Sequence, residues 1–275
     1  MKVKCALIQL AFRKGVDNAL TAAEGFIAEA AADGAQLILL PEMFCCPYST
    51  KKFPEYAQPD DGEMCRRMSA AAAKAGVWLV AGTVPELVRE EDGTEKIYNT
   101  AFVYGPDGRE VCRHRKIHMF DVDVAGGVSM RESDTLAAGD SITMFDTPFG
   151  RVGVAVCYDL RFFEMFRLMQ KAGCGIIAVP ACFTAKTGAA HWEVLFRSRA
   201  IDCQCYLLGC AQTRNDSAPY VCHSHSIAVD PWGRVLADAG TDECIVYAEL
   251  DTEVTEKVKA QLPVLKQLRE DAYHL

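Results

Sequence analysis

The chain has 275 residues, 50% of them hydrophobic, a formal net charge of −8 and a mean hydropathy near zero. That much apolar material supplies a sizeable core, in one large domain or two small ones, and the acidic balance argues against a nucleic-acid binder or a polybasic membrane-surface protein. No stretch approaches the ~20 apolar residues that a membrane helix needs, so a soluble, cytoplasmic protein is expected.

The first run, "MKVKCALIQLAF", stops at Arg13-Lys14 without a small-residue cleavage site. Residues 4–10 therefore read as a first strand rather than a signal peptide. Residues 17–33 read as an alanine-rich helix closed by Gly34, and residues 36–40 as a continuous apolar strand entering Pro41-Glu42. A second helix over 61–75 stops at Gly76, and a third strand covers 77–82. A hairpin follows, 99–104 and 109–113, turning at Gly105-Pro106-Asp107-Gly108.

The second half repeats this order. Residues 152–157 read as a strand, 162–172 as a helix, 175–180 as a strand, 191–203 as a helix and 206–211 as a strand. A second hairpin turns at Asp230-Pro231-Trp232-Gly233, and "VYGPDGREV" matches "AVDPWGRVL" in residue character. Two such halves imply two mixed sheets. The apolar strands imply sheets buried on both faces, by each other inside and by helices outside. The expected fold is α/β, a four-layer α-β-β-α sandwich of two pseudo-repeated halves, in a single domain over residues 1–275. The insert over 118–146 is weakly periodic, and the tail over 251–275 reads as a helix interrupted at Pro263, a candidate for subunit contacts.

Thirteen cysteines do not make a disulfide scaffold here, because the number is odd and no secretory signal precedes them. No C-x-x-C occurs. The one Cys/His cluster, Cys222-His223-Ser224-His225, falls in an expected strand, where alternate residues face opposite sides, so no metal site is expected. Most of the cysteines read as small, reduced core residues.

Reactive groups in open α/β sheets gather at the carboxyl ends of strands. Glu42, Lys116 and Cys157 stand at such ends, one at each structurally corresponding point of the two-sheet fold. Singly they read as a loop carboxylate, a surface charge and a core thiol. Together they read as a base, a cation and a nucleophile.

The segments "LLPEMF", "RKIHMFDVDV" and "GVAVCYDLRF" resemble the three signature blocks of the nitrilase, or carbon–nitrogen hydrolase, superfamily. The similarity spans essentially the whole chain. "FPEY", "ESDTLAAGD", "GAAHWEVLFRSRA", "HSIAVDPWGRVLA" and "QLPVLKQLR" resemble the ω-amidase branch in particular. That resemblance implies a cysteine thioester mechanism without metal or organic cofactor, and a homodimer or larger assembly. It also implies a second active-site glutamate at Glu132 and a substrate pocket that includes Tyr48, Phe183 and Thr187.

A free thiol is mostly protonated at neutral pH; a neighbouring ammonium favours its thiolate, and a carboxylate can take its proton. Cys157 would attack an amide carbonyl with Glu42 as general base, and Lys116 and the Tyr158 N–H would stabilise the oxyanion. Arg161 lies about one turn beyond Cys157. It reads either as an ordinary salt-bridge residue at a helix start or as a fork for a carboxylate at the far end of a short substrate. The second reading selects small dicarboxylic monoamides such as 2-oxoglutaramate or 2-oxosuccinamate. His191 reads equally as a contact to the site or a structural residue. The alternatives are another amidase of the superfamily (deaminated-glutathione amidase, N-carbamoyl amidohydrolase or nitrilase) and a non-catalytic binding or scaffold protein.

Overall fold

A computed structural model describes residues 1–272; the last three positions of the expected tail, 273–275, lie outside the described residues. The first half runs β1 (Lys2–Gln9), α1 (Val16–Ala32), β2 (Leu37–Leu39), α2 (Phe53–Tyr56), α3 (Glu63–Ala75), β3 (Trp78–Val80), β4 (Val84–Arg89), β5 (Glu95–Tyr104) and β6 (Glu110–Arg115). A two-stranded ribbon, β7 (Asp121–Asp123) and β8 (Ser129–Arg131), links it to the second half. There follow β9 (Thr143–Thr147), β10 (Gly150–Val154), α4 (Phe163–Lys171), β11 (Cys174–Ala181), α5 (Ala185–Cys203), β12 (Tyr206–Ala211), β13 (Ile227–Val229) and β14 (Val235–Asp238). The chain then continues as β15 (Cys244–Asp251) and α6 (Thr252–Gln261).

The two sheets share a common core order, with β4 an extra strand of the first. One sheet holds β15-β1-β2-β3-β5, with both β4 and β6 on β5; the other holds β9-β10-β11-β12-β13-β14. In each, three parallel strands (β1-β2-β3 and β10-β11-β12) are flanked by antiparallel neighbours. The hairpins β5-β6 and β13-β14 take the same place on either side. The outer partner of β10 is its own predecessor β9, whereas the outer partner of β1 is β15, from the far end of the chain.

Alternation along each strand builds the four layers. Cys5 and Leu7 of β1 join the core between the sheets, while Ala6 and Ile8 pack beneath Leu20 and Ile27 of α1 and Met68 and Ala72 of α3. Each fully buried Leu or Ile contributes about 1.5–3 kcal/mol relative to exposure. The sheets touch directly, since Cys210 Sγ of β12 lies 3.3 Å from both the Ile8 and Leu39 carbonyl oxygens, which share its one proton. On the other side α4 and α5 sit close to their sheet because glycines face them. A Cβ on Gly153 would lie 2.7 Å from Met169 Sδ, and one on Gly209 would lie 2.3 Å from Phe196 Cζ. The sandwich has the expected layers and the expected pseudo-repeat.

Several local expectations are corrected. The strand expected over 152–157 ends at Val154, because the chain turns sharply at Cys157. The helix expected from 191 begins at Ala185, where the Thr184 side chain caps it by accepting the Thr187 N–H. Residues 222–226 do not form a strand. Cys222 makes one isolated bridge to Thr184, and Ser224 and His225 have φ of +68° and +60°. The helix in the tail stops before Pro263, whose missing N–H cannot continue it, but it does not resume: among the described residues only a one-turn 3-10 helix, Val264–Gln267, follows. Among the described residues, no helix is long and apolar enough to cross a membrane.

Candidate active site

Glu42 sits just past the carboxyl end of β2, in a segment fixed by its main chain. The Met43 N–H donates to Thr83 Oγ1 (2.9 Å), and Gln212 Nε2 donates to the Glu42 carbonyl (2.8 Å) and the Met43 carbonyl (3.1 Å). Gly82 makes this segment possible. Its φ is +59°, and a Cβ there would lie 2.2 Å from the Pro41 carbonyl oxygen. Lys116 follows β6, with its N–H donated to the Asn99 carbonyl at 2.9 Å and its own carbonyl accepting from Gly139 at 2.8 Å. Glu132 opens a one-turn 3-10 helix after β8, and Cys157 opens another after β10, at φ +47°.

These positions are not structurally corresponding points, contrary to the sequence reading. In the pseudo-repeat β2 is equivalent to β11, β6 to β14, and β10 to β1. The three residues converge because two facing sheets bring unlike strand ends to one place.

The convergence is tight. Lys116 Nζ donates to Glu42 Oε1 (3.0 Å) and to Glu132 Oε1 and Oε2 (3.1 and 2.8 Å), and all three side chains are fully buried. Asn99 Nδ2 also donates to Glu42 Oε1 at 2.8 Å. The Tyr48 hydroxyl has one proton, and Glu132 Oε1 at 2.7 Å is a nearer acceptor than Glu42 Oε1 at 3.2 Å. The Phe120 N–H fixes Glu132 Oε2 at 2.8 Å. Glu42 Oε2 has no hydrogen-bond partner among the described residues, and the Cys157 thiol adjoins this carboxylate.

Electrostatics follow from one ammonium between two buried carboxylates. Burial pushes the Glu42 carboxyl above the ordinary range, Lys116 pulls it back, and Glu132 pushes it up again. Burial opposes charge on Lys116 as well, but the two carboxylates outweigh it and hold its pKa well above the usual lysine value. Burial and the Glu42 carboxylate push the Cys157 thiol well up, against the pull of Lys116 and the Cys182 backbone. The Lys116 ammonium alone therefore does not make a resting thiolate. A neutral thiol beside a carboxylate of raised basicity can pass its proton as it attacks an electrophile.

The remaining predicted residues gather around the thiol. Tyr158, Arg161, Phe183 and Thr187 line a narrow pocket with Cys157, together with Phe120, Cys182 and Tyr220. The Arg161 guanidinium lies 5.6 Å from the Tyr158 ring centre and 5.3 Å from that of Phe183, and its Nη2 is 3.2 Å from His191 Nδ1. Among the described residues Arg161 has no carboxylate partner, which removes the ordinary salt-bridge reading. Tyr48 stands behind this pocket, stacked on Tyr220 with ring centres 4.6 Å apart.

Sequence reasoning missed Asn99, Phe120, Gln212 and Tyr220. Asn99 lay in an expected strand, where an amide facing a strand-end carboxylate was the available signal. Tyr220 and Gln212 come from irregular chain between β12 and β13, where no periodicity marks direction. Eleven of the thirteen cysteines, Cys157 included, are buried and all are free thiols. Among the described residues no three His, Cys, Asp or Glu side chains are grouped to hold a metal ion.

Similarity to the carbon–nitrogen hydrolase family and to proteins named Omega-amidase, taken with the sandwich and its buried centre, defines an enzyme, a hydrolase of amide carbon–nitrogen bonds. The chain belongs to the carbon–nitrogen hydrolase family, which it matches over residues 4–260, within the nitrilase superfamily. It is 45% identical to Omega-amidase NIT2 of Homo sapiens over 270 residues, 98% of this chain and 96% of that protein. It is 43% identical to Omega-amidase NIT2 of Danio rerio over 99% of this chain and 96% of that protein. The crystal structure of Saccharomyces cerevisiae Nit3, a member of branch 10 of the nitrilase superfamily, superimposes with a TM-score of 0.89. That pair is 38% identical and covers 98% of this chain and 97% of the yeast chain.

Proposed function

We propose that this enzyme hydrolyses the ω-amide of small dicarboxylic monoamides, such as 2-oxoglutaramate or 2-oxosuccinamate, through a thioester on Cys157. The observation that carries the substrate class is Arg161, a partly buried guanidinium without a carboxylate partner among the described residues, in the pocket of the thiol. Its planar fork suits a distal carboxylate, while Tyr158, Phe183 and Thr187 bound a space suited to a short chain. Full-length similarity to proteins named ω-amidase supports the same class.

In the proposed reaction Cys157 Sγ attacks the amide carbon while its proton passes to Glu42. The oxygen takes up negative charge beside the Lys116 ammonium and the Tyr158 N–H. The tetrahedral adduct collapses as Glu42 returns the proton to nitrogen, releasing ammonia and leaving the thioester. Water then attacks the thioester with Glu42 as base; the acid departs and the thiol is restored. Glu132, held by the Tyr48 hydroxyl, keeps Lys116 beside Glu42 throughout. No cofactor is required by these steps. We read residues 1–275 as one domain of a cytoplasmic homodimer or larger homo-oligomer, with the tail from residue 251 contributing to subunit contacts.

The test is ammonia release from a panel: the two 2-oxo monoamides, neutral short amides, nitriles and N-carbamoyl compounds. The proposal expects the monoamides to give the highest kcat/KM by at least tenfold, the worth of a charge-assisted contact of about 1.5 kcal/mol. Preference for a nitrile, a carbamoyl compound or a neutral amide would overturn it.

A further inference from the structure

Asp159 lies two residues beyond the thiol and is completely buried, yet it plays no part in the chemistry above. Its two oxygens are fully used. Oδ1 accepts the His118 N–H (3.0 Å) and His118 Nδ1–H (2.8 Å). Oδ2 accepts the Val156 N–H (2.9 Å) and His114 Nε2–H (3.2 Å). These tautomers are assigned, since an ionised carboxylate only accepts. Burial opposes the charge, but the histidine hydrogen bonds hold Asp159 below the ordinary carboxylate range.

The donors come from two separate pieces of chain. Val156 immediately precedes the nucleophile. His114 and His118 stand two residues before and two residues after Lys116. One carboxylate therefore ties the Cys157 turn in the second sheet to the Lys116 segment in the first. The His118 ring adds a second tie, stacking on Phe162 at the end of the Cys157 turn, with ring centres 3.5 Å apart and planes 7° off parallel. Cys157 at φ +47° occupies a backbone region that is costly for a residue with a side chain, so contacts outside the turn must hold it there.

The geometry points to Asp159 and His118 as positioning residues that set the Cys157 thiol at its working distance from Glu42 and Lys116. This rests on Cys157 being the nucleophile. Misplacing a reacting atom by an ångström can cost about 100-fold in rate while substrate contacts elsewhere persist. Loss of the clamp should therefore appear in kcat rather than in KM.

His118 is the better handle, because it is partly exposed and can be replaced without burying a new charge. His118→Phe keeps an aromatic ring over Phe162 and removes the donor. His118→Asn loses the ring but places an amide donor near the position of Nδ1. We expect His118→Phe to lose about 10- to 150-fold in kcat, the range for a hydrogen bond to a charged group, with KM little changed. Its iodoacetamide labelling at Cys157, mapped by mass spectrometry, should slow in parallel. His118→Asn should recover most of both rates. A His118→Phe enzyme with kcat within about twofold of wild type, or an Asn variant no better than the Phe variant, overturns the clamp. Wild-type enzyme labelled at Cys157 without losing activity would instead overturn the nucleophile assignment, so the two failures are distinguishable.

Discussion

Glu42 Oε1 lies 3.0 Å from the Lys116 ammonium with both side chains fully buried, though 74 residues separate them in the chain. Glu132 faces the same ammonium at 2.8 Å, so one positive charge serves two carboxylates. Burial raises the Glu42 pKa, and the neighbouring Glu132 carboxylate adds to the rise against the pull of Lys116.

That relationship predicts a trade of stability for activity. A carboxyl whose folded pKa is raised binds its proton more tightly in the native state. Its contribution to stability is present at low pH and is lost as pH rises from the ordinary glutamate value through the raised one. Glu42→Gln should abolish turnover, with a loss of about 1000-fold or more for a missing base that acts in both half-reactions. Its Tm relative to wild type should become more favourable as pH rises across that window. A relative Tm that falls with rising pH would contradict the raised pKa.

Asn99 is a second point of leverage. Its amide donates to the Glu42 oxygen that also faces Lys116, and Oε2 is left without a hydrogen bond. Asn99→Ala should cost about 10- to 150-fold in kcat/KM, the range for a hydrogen bond to a charged group. Steady-state kinetics on 2-oxoglutaramate check this. An unchanged rate would show that Lys116 alone orients Glu42.

How much of this was readable beforehand follows from where each residue stands. Continuous apolar runs with abrupt polar ends mark β2 and β10, so Glu42 and Cys157 could be picked out as strand-end groups. Turn residues marked both hairpins and, through them, the pseudo-repeat. Pairing between chain ends, as in β1 with β15, leaves no periodic trace, and β4 and the β7-β8 ribbon were equally silent. The site's polar supports come from a strand interior (Asn99), from irregular chain (Gln212, Tyr220) and from the turn after the thiol (Asp159). Their side-chain directions are decided by packing between the two sheets, which no local pattern records.

Arg161 separates recognition from chemistry. Removing its fork should raise KM for 2-oxoglutaramate, with kcat/KM falling about 10- to 150-fold, and should spare a neutral short amide. Arg161→Lys should rescue poorly, since a point charge cannot reproduce a planar pair of donors. Equal proportional losses on charged and neutral substrates would show that Arg161 serves the fold, through its Tyr158, Phe183 and His191 contacts, rather than the substrate.

The central claim is covalent attachment of the substrate's acyl group to Cys157. Acid-quenched enzyme, sampled within the first turnovers on 2-oxoglutaramate, can be weighed intact and then mapped by peptide. The account predicts a mass increase equal to the acyl group left after loss of ammonia, located on the Cys157 peptide and absent from Cys157→Ala, which should also retain no turnover. An adduct on another residue, or full turnover by Cys157→Ala, would contradict it.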